Sequence, residues 1–257
     1  MQSKKKTSWG HVATWYGDLL GAQADTYQSK VILPNIVRML SIKEGERVLD
    51  IACGNGFFSE EFTKLGAQVT GVDIAHELII DAKKNTNKKI TYHVASADRM
   101  LGVRDATYDS ATIILALQNI ENVSGTLSEA YRALLQTGKL YLVMLHPAFR
   151  IPRDSDWSYD EKKNLQSRLI GKYLSEKSYT IDMNPGEKNQ KLKKHTITFH
   201  RPLQYYFKLF RKAGFAVTKM EEWISHKTSG SGPRQRAEDD ARKEIPLFVC
   251  FELVKYK

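Results

Sequence analysis

The sequence has only two cysteines, Cys53 and Cys250, among its 257 residues. They form no CxxC pair and no cysteine–histidine cluster. That excludes a disulfide framework and a structural zinc site, and no metal site is expected. No run of about 18 consecutive apolar residues occurs, so no transmembrane segment is predicted. Met1 to Thr7 is polar and lysine-rich with no apolar run behind it. No signal peptide is therefore expected, and the setting predicted is reducing and cytoplasmic. Acids are scarce relative to bases, 29 against 39, which leaves a net charge of +10. Such a balance bears on partners and not on fold. What is present is ordinary: 42% hydrophobic and 26% charged residues, enough for a real core. The length suits one large α/β domain or a domain with a modest insertion.

Along the chain, strand and helix patterns alternate. Asp25 is placed to cap a helix, with Gln28 closing a capping box and Pro34 kinking or splitting it. A short buried strand, Arg47 to Asp50, precedes Gly54 and Gly56 and a helix with Phe58, Phe62 and Leu65 on one face. Further strands are expected at 68–72, 90–95, 109–115 and 139–145, with helices at 75–84 and 123–135. This order predicts parallel βαβ units. Regularity stops at His146-Pro147. Residues from about 148 to 200 read as a polar insertion with one helix near Glu161 to Leu174 and a hairpin around Asn184-Pro185-Gly186. A helix then opens at Pro202 and ends at Gly214. Strands follow at 215–220 and 245–254, with no long helical crossover between them, which predicts an antiparallel pair.

The chemistry concentrates in Val48-Leu49-Asp50-Ile51-Ala52-Cys53-Gly54-Asn55-Gly56. This is a strand, a glycine turn and a helix start, where backbone can approach a ligand closely. A dinucleotide fingerprint needs a third glycine, but position 59 is Ser59. Asp50 at the strand end would repel a phosphate and attract a cationic group. Asp73 ends the next strand, where a carboxylate can accept two ribose hydroxyls. Asp98 follows the third strand. A single acid of this kind reads most simply as a helix cap; three at successive strand ends form a specific pattern.

These residues resemble the motifs of class I S-adenosylmethionine-dependent methyltransferases. The tail from His200-Arg201-Pro202-Leu203 to Ala213-Gly214-Phe215 is similar to that of the small-molecule, ubiquinone/menaquinone-biosynthesis-like group. The resemblance implies a Rossmann-like, seven-stranded, mostly parallel α/β sheet. Its last strand is antiparallel, helices cover both faces, and an insertion follows strand 5. It implies S-adenosylmethionine as methyl donor and S-adenosylhomocysteine as product. It assigns donor contacts to Tyr16, Asp50, Ala52, Cys53, Gly54, Gly56, Phe57, Asp73, Ile74, Ala97, Asp98, Arg99, Leu115, Ala116 and Gln118. The expected division is an N-terminal helical lid (1–45), a donor-binding half (46–146), an acceptor-cap insertion (147–200) and a C-terminal completion of the core (201–257).

The acceptor is less constrained. No Asn/Asp-Pro-Pro-aromatic motif follows the fourth strand, where Leu115-Ala116-Leu117-Gln118 stands, and neither cysteine is placed as a nucleophile. What remains is an oxygen, nitrogen or activated carbon of a small molecule, with an anionic acceptor among the candidates that the basic balance suits. His146, at the end of the fifth strand, is the first candidate base and His200 the second, with Tyr159, Glu222 and His226 behind them. Two alternatives stay open. The run Lys188 to Lys212 holds eight Lys/Arg and no acid, which suits an RNA acceptor; it also suits a plain solvated face. The other is a non-catalytic scaffold subunit of the same fold.

Overall fold

The computed structural model describes Trp9, residues 25–184, Asn189 and residues 193–256. Seven strands form one sheet: β1 (Arg47–Ile51), β2 (Gln68–Asp73), β3 (Thr91–Val94), β4 (Tyr108–Ile114), β5 (Leu134–Leu145), β10 (Phe215–Trp223) and β11 (Phe248–Lys255). Their spatial order is β3-β2-β1-β4-β5-β11-β10. Strands β1 to β5 run parallel, and β11 lies antiparallel between β5 and β10. The expected fold is the observed one.

Alternation along the strands explains the layers. Leu140, Leu142 and Met144 of β5 enter one core with Leu49, Ile113 and Phe251. Tyr141 and Val143 enter the other, with Val48 and Phe248. The first core is covered by α4 (Val123–Ala133) and α5 (Leu203–Ala213), the second by α1 (Leu33–Leu40), α2 (Phe57–Lys64) and α3 (His76–Asn85). With both faces covered, the open places for a ligand are the strand ends.

Several local expectations need correction. Asp25 does not cap the first helix. Thr26 and Ser29 exchange backbone-to-hydroxyl bonds there instead, at 3.2 and 3.1 Å, while Asp25 pairs with His226 and Lys227. This helical segment opens as a π-helical turn, Gln28–Ile32, and becomes α-helical at Leu33, with Pro34 in the first turn. Leu65 lies past the end of α2 and is exposed. No helix forms at 161–174. Asp160 accepts from the backbone N–H groups of Lys162 and Lys163, and Asn164 takes a left-handed φ of 46°. That side-chain turn folds β6 (Ser155–Asp160) onto β7 (Leu165–Ile170). A second hairpin joins β8 (Lys177–Asp182) and β9 (His195–His200); the expected turn at Pro185-Gly186 lies outside the described residues. Finally, β10 and β11 are separated by an unanticipated helix, α6 (Gln235–Glu244). Only Ala237 and Ala241 of α6 are buried, so it has almost no apolar stripe to read. Ion pairs such as Arg242–Glu238 support it instead. Among the described residues, no helix is long and apolar enough to cross a membrane.

Phe210 of α5 is 1% exposed and packs edge-on against Phe251, 5.8 Å between ring centres. Phe210→Ala is expected to cost about 3–5 kcal/mol, as buried aromatic truncations do. Urea unfolding measures it; a loss under about 1 kcal/mol would show that α5 is not clamped to the sheet as described.

Candidate active site

Strand β1 ends in a loop that reverses its backbone three times. Ala52, Gly54 and Gly56 all have left-handed φ, at 57°, 58° and 81°. Ala52 is strained there, and glycine removes that strain at the other two. Gly56 is required twice over, since a Cβ would stand 2.3 Å from the Tyr92 hydroxyl. The loop is held from β2. The backbone N–H of Gly54 donates to Asp73 Oδ2 at 2.9 Å, and Ala75 N–H donates to Asp73 Oδ1 at 2.8 Å. Burial raises the Asp73 carboxyl above its ordinary range, against those backbone bonds.

Asp50 lies beneath the loop, 2% exposed. Ser59 donates to its Oδ2 at 2.6 Å and Thr112 to its Oδ1 at 3.1 Å. Burial nevertheless raises its pKa to about 6. Ser59, the residue that breaks the dinucleotide pattern, is thus the hydroxyl that steadies a buried carboxylate.

Across the cleft, β4 ends at Leu115, another non-glycine residue with left-handed φ, 54°. Its carbonyl accepts from Gln118 Nε2 at 2.8 Å. The groove between the two strand ends encloses about 140 Å³. It opens on the side of Ile74, which lines it and is 48% exposed. Asp50, Ala52, Cys53, Gly54, Phe57, Asp73, Ile74, Leu115 and Ala116 all line it. The lining residues absent from the sequence-based assignment include Gln28, Asn55, Phe58 and Asn119; Asn55 had a signal in its place between the two glycines, and Asn119 in its place just after the fourth strand.

Other expected residues stand elsewhere. Gly56 shapes the loop from behind. Ala97 is in the core, Arg99 is exposed, and Asp98 lies off the groove walls. The Asp98 carboxylate accepts from Ser96 Oγ and from Asn122 Nδ2, 2.8 Å away. Asn122 in turn caps α4 through Gly125 N–H. Tyr16 lies outside the described residues. Gln118 lines a second cavity of about 430 Å³, bounded also by His200, Arg150 and Arg201 from the segment after β5. The groove and this cavity share Gln28, Leu115, Asn119 and Trp9 as a common wall.

The two histidines separate clearly. His200 lines the second cavity, and its Nε2 donates to the Tyr173 carbonyl at 2.8 Å. His146 does not line it. The ring is 3% exposed, Nδ1 accepts from Ala148 N–H at 3.2 Å, and Nε2 donates to Glu222 at 2.8 Å. Burial lowers its pKa, with Glu222 pulling the other way. With both nitrogens engaged, His146 pins the turn after β5. A larger hollow, about 810 Å³, lies at the amino ends of the strands around Arg47, Gln68 and Thr91. Ligands of open α/β sheets bind at the carboxyl ends, beside the strand where the order reverses, so that hollow is set aside. Among the described residues no group of three metal-binding side chains occurs.

A methyltransferase-domain family matches residues 49–142, from within β1 to within β5. A ubiquinone biosynthesis O-methyltransferase of Xanthomonas oryzae pv. oryzae is 32% identical over 105 residues, 40% of this chain and 44% of that protein. A demethylmenaquinone methyltransferase of Tropheryma whipplei is 31% identical over 105 residues, 40% of this chain and 43% of that one. The chain thus spans less than half the length of these relatives. The crystal structure of an S-adenosylmethionine-dependent methyltransferase from Mesorhizobium loti superposes with a TM-score of 0.66 at 22% identity, covering 86% of this chain and 95% of that one.

The sign of the Asp50 effect is fixed by its raised pKa. An unfolded chain loses this proton near the ordinary value of 3.8, the folded one near 6. Between those values the folded state holds more protons, so stability falls as pH rises through the window. Above it the ionised carboxylate costs about 3 kcal/mol. Asp50→Asn is therefore expected to stabilise the fold by about 1–3 kcal/mol at pH 8 and to have little effect at pH 4. Urea unfolding at the two pH values checks this; equal effects at both would contradict a buried, strained charge.

Proposed function

We propose that the chain, a class I S-adenosylmethionine-dependent methyltransferase by domain match and by fold, methylates an oxygen, nitrogen or activated carbon of a small-molecule acceptor. The observation that carries this reading is the shared wall: a groove with the motif acids and a second cavity meet at Leu115 and Asn119. Two reactants on either side of that wall are brought together for in-line transfer, and alignment of this kind supplies roughly 7–11 kcal/mol of a barrier. Bound S-adenosylmethionine supplies an activated methyl group on a sulfonium leaving group.

The donor groove fits that cofactor by the chemistry of its walls. Among the described residues, its charged lining consists of Asp50 and Asp73, which suits a cationic ligand bearing hydroxyls. Asp73 holds the ribose hydroxyls while keeping its hold on Gly54. Asp50 places negative charge under the cationic end. The Ala97–Arg99 turn is assigned the adenine edge. Each Asp98 oxygen takes one internal hydrogen and retains a second lone pair for an amino group.

On the acceptor side, His200 is the preferred base where the acceptor is protonated. Its Nε2–H is committed to Tyr173, so Nδ1 is the basic nitrogen. His146 is assigned a positioning role. The RNA reading is the weaker one: Arg201 is turned inward onto the Ile120 and Glu121 carbonyls, Lys193 pairs with Asp182 and Tyr206 is a core residue, although Lys208, Arg211 and Lys212 are exposed. An unused scaffold would not need two buried carboxylates at a strained loop.

Asp73→Ala is expected to weaken S-adenosylmethionine binding about 100-fold or more, from two charge-assisted hydrogen bonds at about 1.5–3 kcal/mol each. Calorimetric titration measures this, and unchanged affinity would reject the donor site. Incubation with tritiated S-adenosylmethionine and a fractionated lysate is expected to label the small-molecule fraction; label confined to RNA or protein would reject the acceptor class. His200→Ala is expected to lower kcat about 100-fold or more while leaving donor affinity intact, the usual range for a lost general base. Wild-type kcat would remove that role.

A further inference from the structure

The acceptor cavity has a one-sided electrostatic character. Its described walls contain two arginines, Arg150 and Arg201, and no aspartate or glutamate. Most of the remaining lining is apolar, including Met144, Ile181 and Phe248. The two arginines differ in what they touch. Arg201 is spent: its guanidinium donates to the carbonyls of Ile120 and Glu121, both at 2.9 Å, and lies over the Phe199 ring. Arg150 has no carboxylate partner among the described residues, and its Nε is buried with no hydrogen-bond partner. Burial and the neighbouring charge of Arg168 both work against its protonated state.

The surroundings keep Arg150 in place without neutralising it. Its guanidinium sits 5.5 Å from the centre of the Trp157 ring, and Arg168 lies 5.0 Å from the same ring. Arg168 is tethered to the Phe149 carbonyl at 2.9 Å and to Ser155 Oγ at 2.7 Å. The Arg150 backbone N–H donates to the His146 carbonyl at 2.9 Å, so the turn pinned by the His146–Glu222 pair also presents Arg150. A guanidinium partly removed from water without a counter-ion is costly, and a planar anion matches its fork of donors.

Gln118, another residue lining the cavity, also carries an unsatisfied atom. Gln118 donates its Nε2–H to the Leu115 carbonyl, which fixes the orientation of the amide. Its Oε1 is then left buried with no partner. That oxygen asks for a hydrogen-bond donor from the ligand, beside the wall shared with the donor groove.

We propose that the acceptor is a largely apolar organic acid carrying a hydroxyl or N–H group, with Arg150 receiving its anionic group and Gln118 Oε1 its donor hydrogen. This rests on the methyl-transfer reading above and names the substrate class for it. Arg150 is thereby a specificity-determining residue of the acceptor site.

The test is calorimetric binding at pH 7.5 to the full chain saturated with S-adenosylhomocysteine. The probes are matched acid and amide pairs: 4-hydroxybenzoate with 4-hydroxybenzamide, indole-3-acetate with indole-3-acetamide, and 2-hydroxyhexanoate with its amide. At least one acid is expected to bind wild type ten-fold or more tighter than its amide. Arg150→Met is expected to reduce that ratio below two-fold with S-adenosylhomocysteine affinity unchanged, which also reports that the variant is folded. Arg150→Lys, which keeps the charge without the planar fork, is expected to retain part of the preference. The proposal is overturned if no pair shows a preference in wild type, or if Arg150→Met keeps it. Failure of S-adenosylhomocysteine to bind wild type would instead strike the methyl-transfer reading itself.

Discussion

The site hangs on one hydrogen bond across two strands, from the Gly54 N–H to the Asp73 carboxylate at 2.9 Å. It joins the loop after β1 to the end of β2 and stabilises a backbone that enters left-handed space at Ala52, Gly54 and Gly56. Residues in such conformations persist only where their surroundings over-determine them. Tyr92 supplies the rest of the constraint. Its ring fills the space where a side chain at Gly71 or Gly56 would stand, and its hydroxyl bonds Thr86 at 3.0 Å. The loop is therefore clamped from its side by Asp73 and backed by Tyr92. A ligand meets a shape that is already formed, with little left to order on binding.

Sheet order decides where that shape leads. The chain passes from β1 out to β3, then returns to β4 on the other side of β1. The cleft opens at this reversal, between Ala52 and Leu115, the ends of adjacent parallel strands. Both residues carry left-handed φ without being glycine. Strain at the two lips of the cleft is what a functional site shows when geometry is held against local preference. The segment after β5 supplies a second wall, and its β8–β9 hairpin reaches the shared rim, where Thr198 donates to the Gln118 carbonyl.

The fold was legible because each βαβ unit writes its own local pattern, and the parallel order follows from alternation. The groove at the strand ends was legible for a related reason: Asp50, Gly54, Gly56 and Asp73 shape it through backbone and strand-end positions that sequence spacing fixes. What depended on distant packing was not legible. Glu161 to Leu174 reads as a helix, but a side-chain turn over Asp160 to Asn164 makes the segment a hairpin. Helix α6 carries no apolar stripe and stands by its ion pairs. His146 was rightly placed at the end of β5, yet its ring faces Glu222 and Ala148, and no sequence feature records which way a ring turns. Arg150 had no signature at all, because the absence of a counter-ion is a property of the folded surroundings.

The two sides of the cleft divide charge. Among the described residues, the groove is lined by Asp50 and Asp73 with no lysine or arginine, and the second cavity by Arg150 and Arg201 with no acid. As a methyl group leaves a sulfonium, positive charge leaves the donor side and moves toward the acceptor atom. Near the half-buried Arg150 guanidinium, a neutral amine would end as a cation beside a cation, which reduced local polarity makes costly. An ionised oxygen or carbon would end neutral instead, and its initial negative charge would be favoured by Arg150. Under the proposed methyl transfer, this division of charge would favour an anionic oxygen or carbon over an uncharged nitrogen as the acceptor atom. It would do so through the field of the site, independently of where a proton-accepting residue stands.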